Sequence, residues 1–128
     1  MSEQMVFRAG EGPFHRIRKD LDGVLIAGEQ VTLVRWDFPV GRAPTPVHSH
    51  ADHEQFVIML SGSVVTTLGD ERVTLNAGDI MRIRRNVPHG ATVVLGSENA
   101  VMLDVYWPPR EEYVAAAAKP AERRENTG

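Results

Sequence analysis

The chain has no cysteine among its 128 residues. That excludes disulfide staples, zinc fingers, iron–sulfur clusters and thiol nucleophiles, and leaves histidine, carboxylate and amide groups as the available metal ligands. The absence fits a reducing compartment. The amino-terminal stretch MSEQMVFRAGEGPF has neither a basic start nor an apolar segment of signal-peptide length, so a cytoplasmic location is expected. Long apolar runs are missing too: Phe56 to Leu60 is the longest run of large apolar residues, far short of a membrane span. A net charge of -3 with no sustained Lys/Arg block provides no electrostatic footprint for nucleic acid or an anionic membrane. With 42% hydrophobic and 24% charged residues, what remains is one ordinary globular domain.

That domain reads as all-β. From Val24 to Trp107 short β-like runs alternate with turn residues, and helical periodicity never persists beyond two turns. In the run from Val31 to Phe38, Val34, Trp36 and Phe38 share one face, while Phe56 to Leu60 reads as a nearly continuous apolar strand. Turns at Ser61-Gly62, Gly69-Asp70-Glu71, Asn76-Ala77-Gly78-Asp79 and Gly96-Ser97-Glu98-Asn99 give the spacing of a small sandwich or barrel. Arg82 and Arg84 alternate with Met81 and Ile83, as the wet face of a strand does, so this basic cluster is not read as an anion site. After Pro108-Pro109, the stretch Arg110 to Lys119 has an acidic first turn, an alanine interior and a basic last turn, the pattern of a short helix. The expected division is 1–23 as an N-terminal extension contributing to the barrel or to a dimer contact, 24–107 as the barrel, 108–119 as the helix, and 120–128 as a disordered tail.

Chemistry concentrates in the histidines. His48, His50 and His53 lie in VHSHADHEQ, and His89 lies in NVPHG. Two strand residues two apart point to the same side, so His48 and His50 would aim two imidazoles into one space, a ready pair of metal ligands. His53 and His15 read as surface residues.

These segments resemble the cupin superfamily, whose first motif runs from a glycine through His-x-His to a carboxylate and a second glycine. Here the string runs from Gly41 through His48 and His50 to Gly62, and counting back from Gly62 puts Gln55 where the carboxylate usually stands, with Glu54 as the fallback if the chain bulges. The second motif resembles Gly78 to His89, with Arg84 in place of a usual proline and Asn86 in place of a usual glycine, a change that asparagine tolerates in the left-handed region. The resemblance implies a single-domain cupin, a jelly-roll β-barrel that commonly forms a homodimer. It also implies one divalent metal ion held by His48, His50, Gln55 and His89. Ni, Mn, Fe, Co and Zn all suit such a set. An all-neutral shell leaves the ion its whole charge, which favours Lewis-acid chemistry on an anionic substrate over oxygen activation.

A third group lies on the last strand, where Met102, Asp104 and Tyr106 share a face. Asp104 in mid-strand points into the barrel, either as an acid–base group beside the metal or as partner to a buried arginine or to a group behind the ligands. Arg110 is either a helix-start surface residue or a fork for a substrate carboxylate. HSHADHEQ, NVPHG and DVYWPPREEY together resemble the KdgF-type cupins, which convert 4,5-unsaturated monouronates of pectin and alginate to linear keto forms. That resemblance implies Asp104, Tyr106 and Arg110 as catalytic or substrate-site residues, and a small anionic substrate as the partner. Two other readings stand beside it: a cupin dioxygenase acting on a small organic acid, and a non-enzymatic module that binds a small acidic ligand.

Overall fold

Period-two alternation of apolar side chains organises nearly everything between His15 and Trp107. The computed structural model describes residues 4–18 and 21–119; the tail at 120–128 lies outside the described residues. The strands are β1 His15–Arg18, β2 Leu21–Ala27, β3 Thr32–Phe38, β4 Glu54–Ser61, β5 Ser63–Leu68, β6 Glu71–Asn76, β7 Ile80–Ile83, β8 His89–Leu95 and β9 Ala100–Trp107, followed by helix α1 Glu111–Ala117. One sheet has the order β1-β2-β3-β9-β4-β7 and the other β6-β5-β8, and neighbours run antiparallel. The chain crosses between sheets after β4, β6, β7 and β8, the winding of a jelly roll. The expected all-β barrel with a short C-terminal helix is therefore what forms. Two of its strands, β1 and the start of β2, come from the stretch 1–23. No described helix is long and apolar enough to cross a membrane.

The core lies between the two sheets. Val34, Trp36 and Phe38 of β3, Val57 and Met59 of β4, Met81 and Ile83 of β7, and Met102 of β9 meet Val64 and Leu75 from the smaller sheet. Two polar residues, Gln55 and Asp104, take inward positions on the larger sheet. The run Phe56 to Leu60, continuous in sequence, divides by face in the fold. Val57 and Met59 are buried, whereas Phe56 and Leu60 turn outward and are 36% and 47% exposed. Ile80 at 65% and Trp107 at 54% extend this outer apolar face across β7 and β9. Arg82 sits on the same outer face, where its Nε–H donates to Glu54 Oε2 at 2.5 Å.

Two turns depend on unusual backbone. Gly62, with φ +74°, passes so close to β9 that a Cβ would lie 2.8 Å from the Asn99 carbonyl oxygen. Asn86 adopts φ +66°, within the region expected to suit it. The helix is shorter than the 108–119 expected. Pro108 and Pro109 have no amide hydrogen, and Arg110 remains extended as the N-cap, so the helix opens on Glu111 and closes before Lys119, leaving its last turn without a basic residue.

The adjacent residues Leu75 and Thr74 test the parity. Leu75→Ala is expected to cost about 2–5 kcal/mol in urea unfolding, and Thr74→Ala on the opposite face to stay within about 0.5 kcal/mol.

Candidate active site

The two histidine segments meet through their backbones. His48 N–H donates to the His89 carbonyl and His89 N–H to the His48 carbonyl, each at 2.9 Å. This bridge stands alone: His48 and His50 lie in the extended segment before β4, not within a strand as expected, since Pro44 and Pro46 have no amide hydrogen with which to form a ladder. Asn86 N–H holds the second histidine by donating to the His50 carbonyl at 2.7 Å. Gly90 makes the approach possible, because a Cβ there would collide with the Pro46 carbonyl oxygen.

The imidazoles of His48, His50 and His89 consequently face one another. Ring centroids are 4.8 Å apart for His48–His50, 4.4 Å for His48–His89 and 5.0 Å for His50–His89. Candidate ligand atoms of the three lie within 4.8 Å of one another. Their tautomers follow from the hydrogen bonds. His48 Nδ1 lies 3.1 Å from the Pro46 carbonyl and His89 Nδ1 3.0 Å from the Val87 carbonyl; a carbonyl only accepts, so each Nδ1 carries the hydrogen and each Nε2 the lone pair.

Gln55 enters this space from β4, between Ile83 of β7 and Tyr106 of β9. Its Oε1, like Nε2 of His50 and of His89, is buried without a hydrogen-bond partner among the described residues. Buried lone pairs converging without donors are what a bound cation satisfies, so the donor set fits a metal ion. Glu54 faces the other way and pairs with Arg82.

Asp104 lines the same inner cavity, with His48, Gln55, His89, Trp36 and Tyr106; the cavity encloses about 500 Å³ including its open mouth. Asp104 Oδ2 accepts from Trp36 Nε1–H at 2.8 Å and from the Tyr106 hydroxyl at 3.3 Å. Burial, followed by the Asp104 carboxylate, raises the Tyr106 pKa well above the usual phenol value, so the hydroxyl keeps its proton. Arg110 stands further out. Its guanidinium lies 4.4 Å from the Tyr113 ring centroid and 5.5 Å from that of Tyr106, donates to the Tyr113 hydroxyl at 3.0 Å, and forms an ion pair with Glu112.

Two expectations are corrected: His53 and His15 are both buried, each 7% exposed. His53 packs 4.4 Å from the His50 ring and edge-on to Tyr106 at 5.1 Å. The signal was the parity already applied to Gln55, for His53 is two residues earlier and turns inward with it. His15 lies in the cleft between β1 and α1, a tertiary cover invisible in sequence. Trp36 was read only as a core residue; its bond to Asp104 required the pairing of β3 with β9.

The family model described as Cupin domain matches residues 34–106, and the chain belongs to the cupin family. Within it, the chain is 28% identical over 91 residues to the pectin degradation protein KdgF of Dickeya dadantii (strain 3937), covering 71% of this chain and 80% of that protein. Among solved structures, KdgF from Halomonas sp. superposes with a TM-score of 0.69 at 22% identity, over 77% of this chain and 90% of that one. An RmlC-like cupin from Shewanella frigidimarina superposes with a TM-score of 0.73 at 24% identity, over 88% and 96% of the two chains. The chain is thus a small cupin resembling KdgF.

Burial, then the positive charge of Arg110, lowers the His50 pKa to about 3, and burial lowers those of His53 and His89. Unfolded histidines titrate near pH 6.5. Between that value and the lowered native ones the unfolded chain binds more protons, so stability is full above about pH 6.5 and declines as the pH falls toward 3. Urea midpoints of the metal-free protein should follow that decline. His50→Gln should flatten it; an unchanged slope would remove His50 as a contributor.

Proposed function

We propose that this cupin is a metal-dependent enzyme that ketonises a 4,5-unsaturated monouronate. The observation that carries the reading is the placement of one buried carboxylate, Asp104, in the same cavity as Gln55 and two of the converging histidines, His48 and His89. Similarity to a pectin degradation protein supports the choice of substrate. His48, His50, Gln55 and His89 would hold a divalent ion, which when bound supplies Lewis-acid stabilisation of negative charge on oxygen.

The reaction is an isomerisation, with no net change in oxidation state. The anomeric hydroxyl loses its proton and the ring oxygen gains one as the bond between the anomeric carbon and the ring oxygen breaks, leaving an aldehyde and an enol; the enol hydroxyl then loses a proton and the enol carbon gains one, giving the ketone. Asp104 receives and returns that proton. Trp36 Nε1–H and the Tyr106 hydroxyl hold its Oδ2 in place, and Tyr106 presents a neutral ring edge that orients the sugar. Arg110 supplies positive charge for the substrate's anionic oxygen at the barrel mouth. A second copy of the chain is proposed as the partner for the outer apolar face that includes Ile80 and Trp107, since symmetric dimers are the commonest oligomers.

Turnover of 4,5-unsaturated galacturonate, followed by loss of its ultraviolet absorbance, tests the reaction. Asp104→Asn is expected to lower kcat by about 10²–10⁴-fold while retaining metal; full turnover would remove Asp104 from the role. Metal analysis tests the ligands separately. Gln55→Ala should lower metal occupancy and Glu54→Ala should leave it unchanged, and the reverse pattern would move the fourth ligand to Glu54.

A further inference from the structure

His53 has no task in the reaction above, yet it is buried beside the converging imidazoles, and its Nε2 has no hydrogen-bond partner among the described residues. Buried imidazole nitrogens in native proteins have partners, so one left without any points to a ligand. The shared ion does not account for it. The nitrogens that converge belong to His48, His50 and His89, whereas the His53 ring meets His50 and Tyr106. His53 instead lines a groove at the barrel mouth with His50, Pro108, Arg110 and Glu112, a space of about 1070 Å³ including open solvent.

That groove already contains the carboxylates of Asp52, Glu111 and Glu112, and the Arg110 guanidinium is paired with the exposed Glu112 of its own helix. A ligand carboxylate would compete for the same cation. We infer that His53 is a substrate-binding residue that donates its ring N–H to the carboxylate of the substrate beside Arg110. The inference rests on the proposed function in naming a uronate as that substrate. The two donors come from different elements, the segment before β4 and the start of α1, so together they fix the orientation of a planar carboxylate as one donor cannot.

The test uses the full chain loaded with the same metal in wild type, His53→Ala and His53→Gln, the last retaining an N–H donor. Metal per chain is measured by plasma mass spectrometry, kcat and KM with 4,5-unsaturated galacturonate, and binding of D-galacturonate and of neutral galactose by calorimetry. We expect unchanged metal occupancy, a KM raised about tenfold or more in His53→Ala, a smaller change in kcat, partial recovery in His53→Gln, and weakened binding of galacturonate but not of galactose. Loss of metal in His53→Ala would make His53 a ligand and overturn the inference. An unaltered KM and galacturonate affinity would also overturn it while leaving the proposed reaction intact. If wild type binds galacturonate through His53 but turns over no unsaturated sugar, the reaction fails and the inference stands.

Discussion

The pair of backbone hydrogen bonds between His48 and His89 is the constraint on which the site depends. It ties a proline-containing segment with no ladder of its own to the first residue of β8, and brings together two imidazoles 41 positions apart in the chain. The bond pair needs the backbones in contact. Gly90 provides that contact by having no side chain where the Pro46 carbonyl must pass, and Asn86 extends the attachment to His50. Three ligand candidates therefore depend on backbone geometry in turns, while Gln55, Asp104 and Tyr106 depend on strand parity within the larger sheet. Turn and sheet contribute to the centre in different ways and meet in the chain itself, since the segment with His48 and His50 runs directly into β4 ahead of Gln55 and His89 opens β8.

Much of this was legible in the sequence because strands alternate. Parity along β3, β4 and β9 assigns Trp36, Gln55, Asp104 and Tyr106 to the inside and Glu54 to the outside without reference to any partner strand. The same rule applied two residues earlier would have placed His53 inside. It was missed because the segment reads as a loop until β4 pairing begins at Glu54. His15 was not legible at all, since its cover is α1, which arrives from the far end of the chain. The bond from Trp36 to Asp104 was hidden for a related reason. It joins residues 68 positions apart whose strands become neighbours only when β9 inserts between β3 and β4.

The helix boundary shows how a local signal overreaches. Proline at the first helical position favours a helix, and that rule extended the expected element back to Pro108. The observed chain bends at Pro108, keeps Arg110 extended and commits to helix only at Glu111. The delay has a structural consequence. Arg110 N–H donates to Thr32 Oγ1 at 3.1 Å, anchoring the corner to β3, and the guanidinium lies against Tyr106 and Tyr113. A helix begun three residues earlier would carry Arg110 around the helix axis and away from the mouth.

Charge bears on the anionic substrate proposed for this site. The protein as a whole is acidic, at -3, and the groups at the mouth and centre include four imidazoles, an amide and a guanidinium, with Asp104 the carboxylate on the inner wall and Asp52, Glu111 and Glu112 at the rim. Burial and Arg110 both disfavour protonated imidazoles, so the histidines contribute lone pairs and N–H groups instead of net charge. The long-range attraction for an anion then comes from Arg110 and from any cation that the donors hold. Asp104 Oδ2 accepts from two neutral donors, an indole and a phenol, which fix the orientation of the carboxylate and keep their own protons at ordinary pH. An oriented carboxylate is what the proton transfer proposed for Asp104 requires.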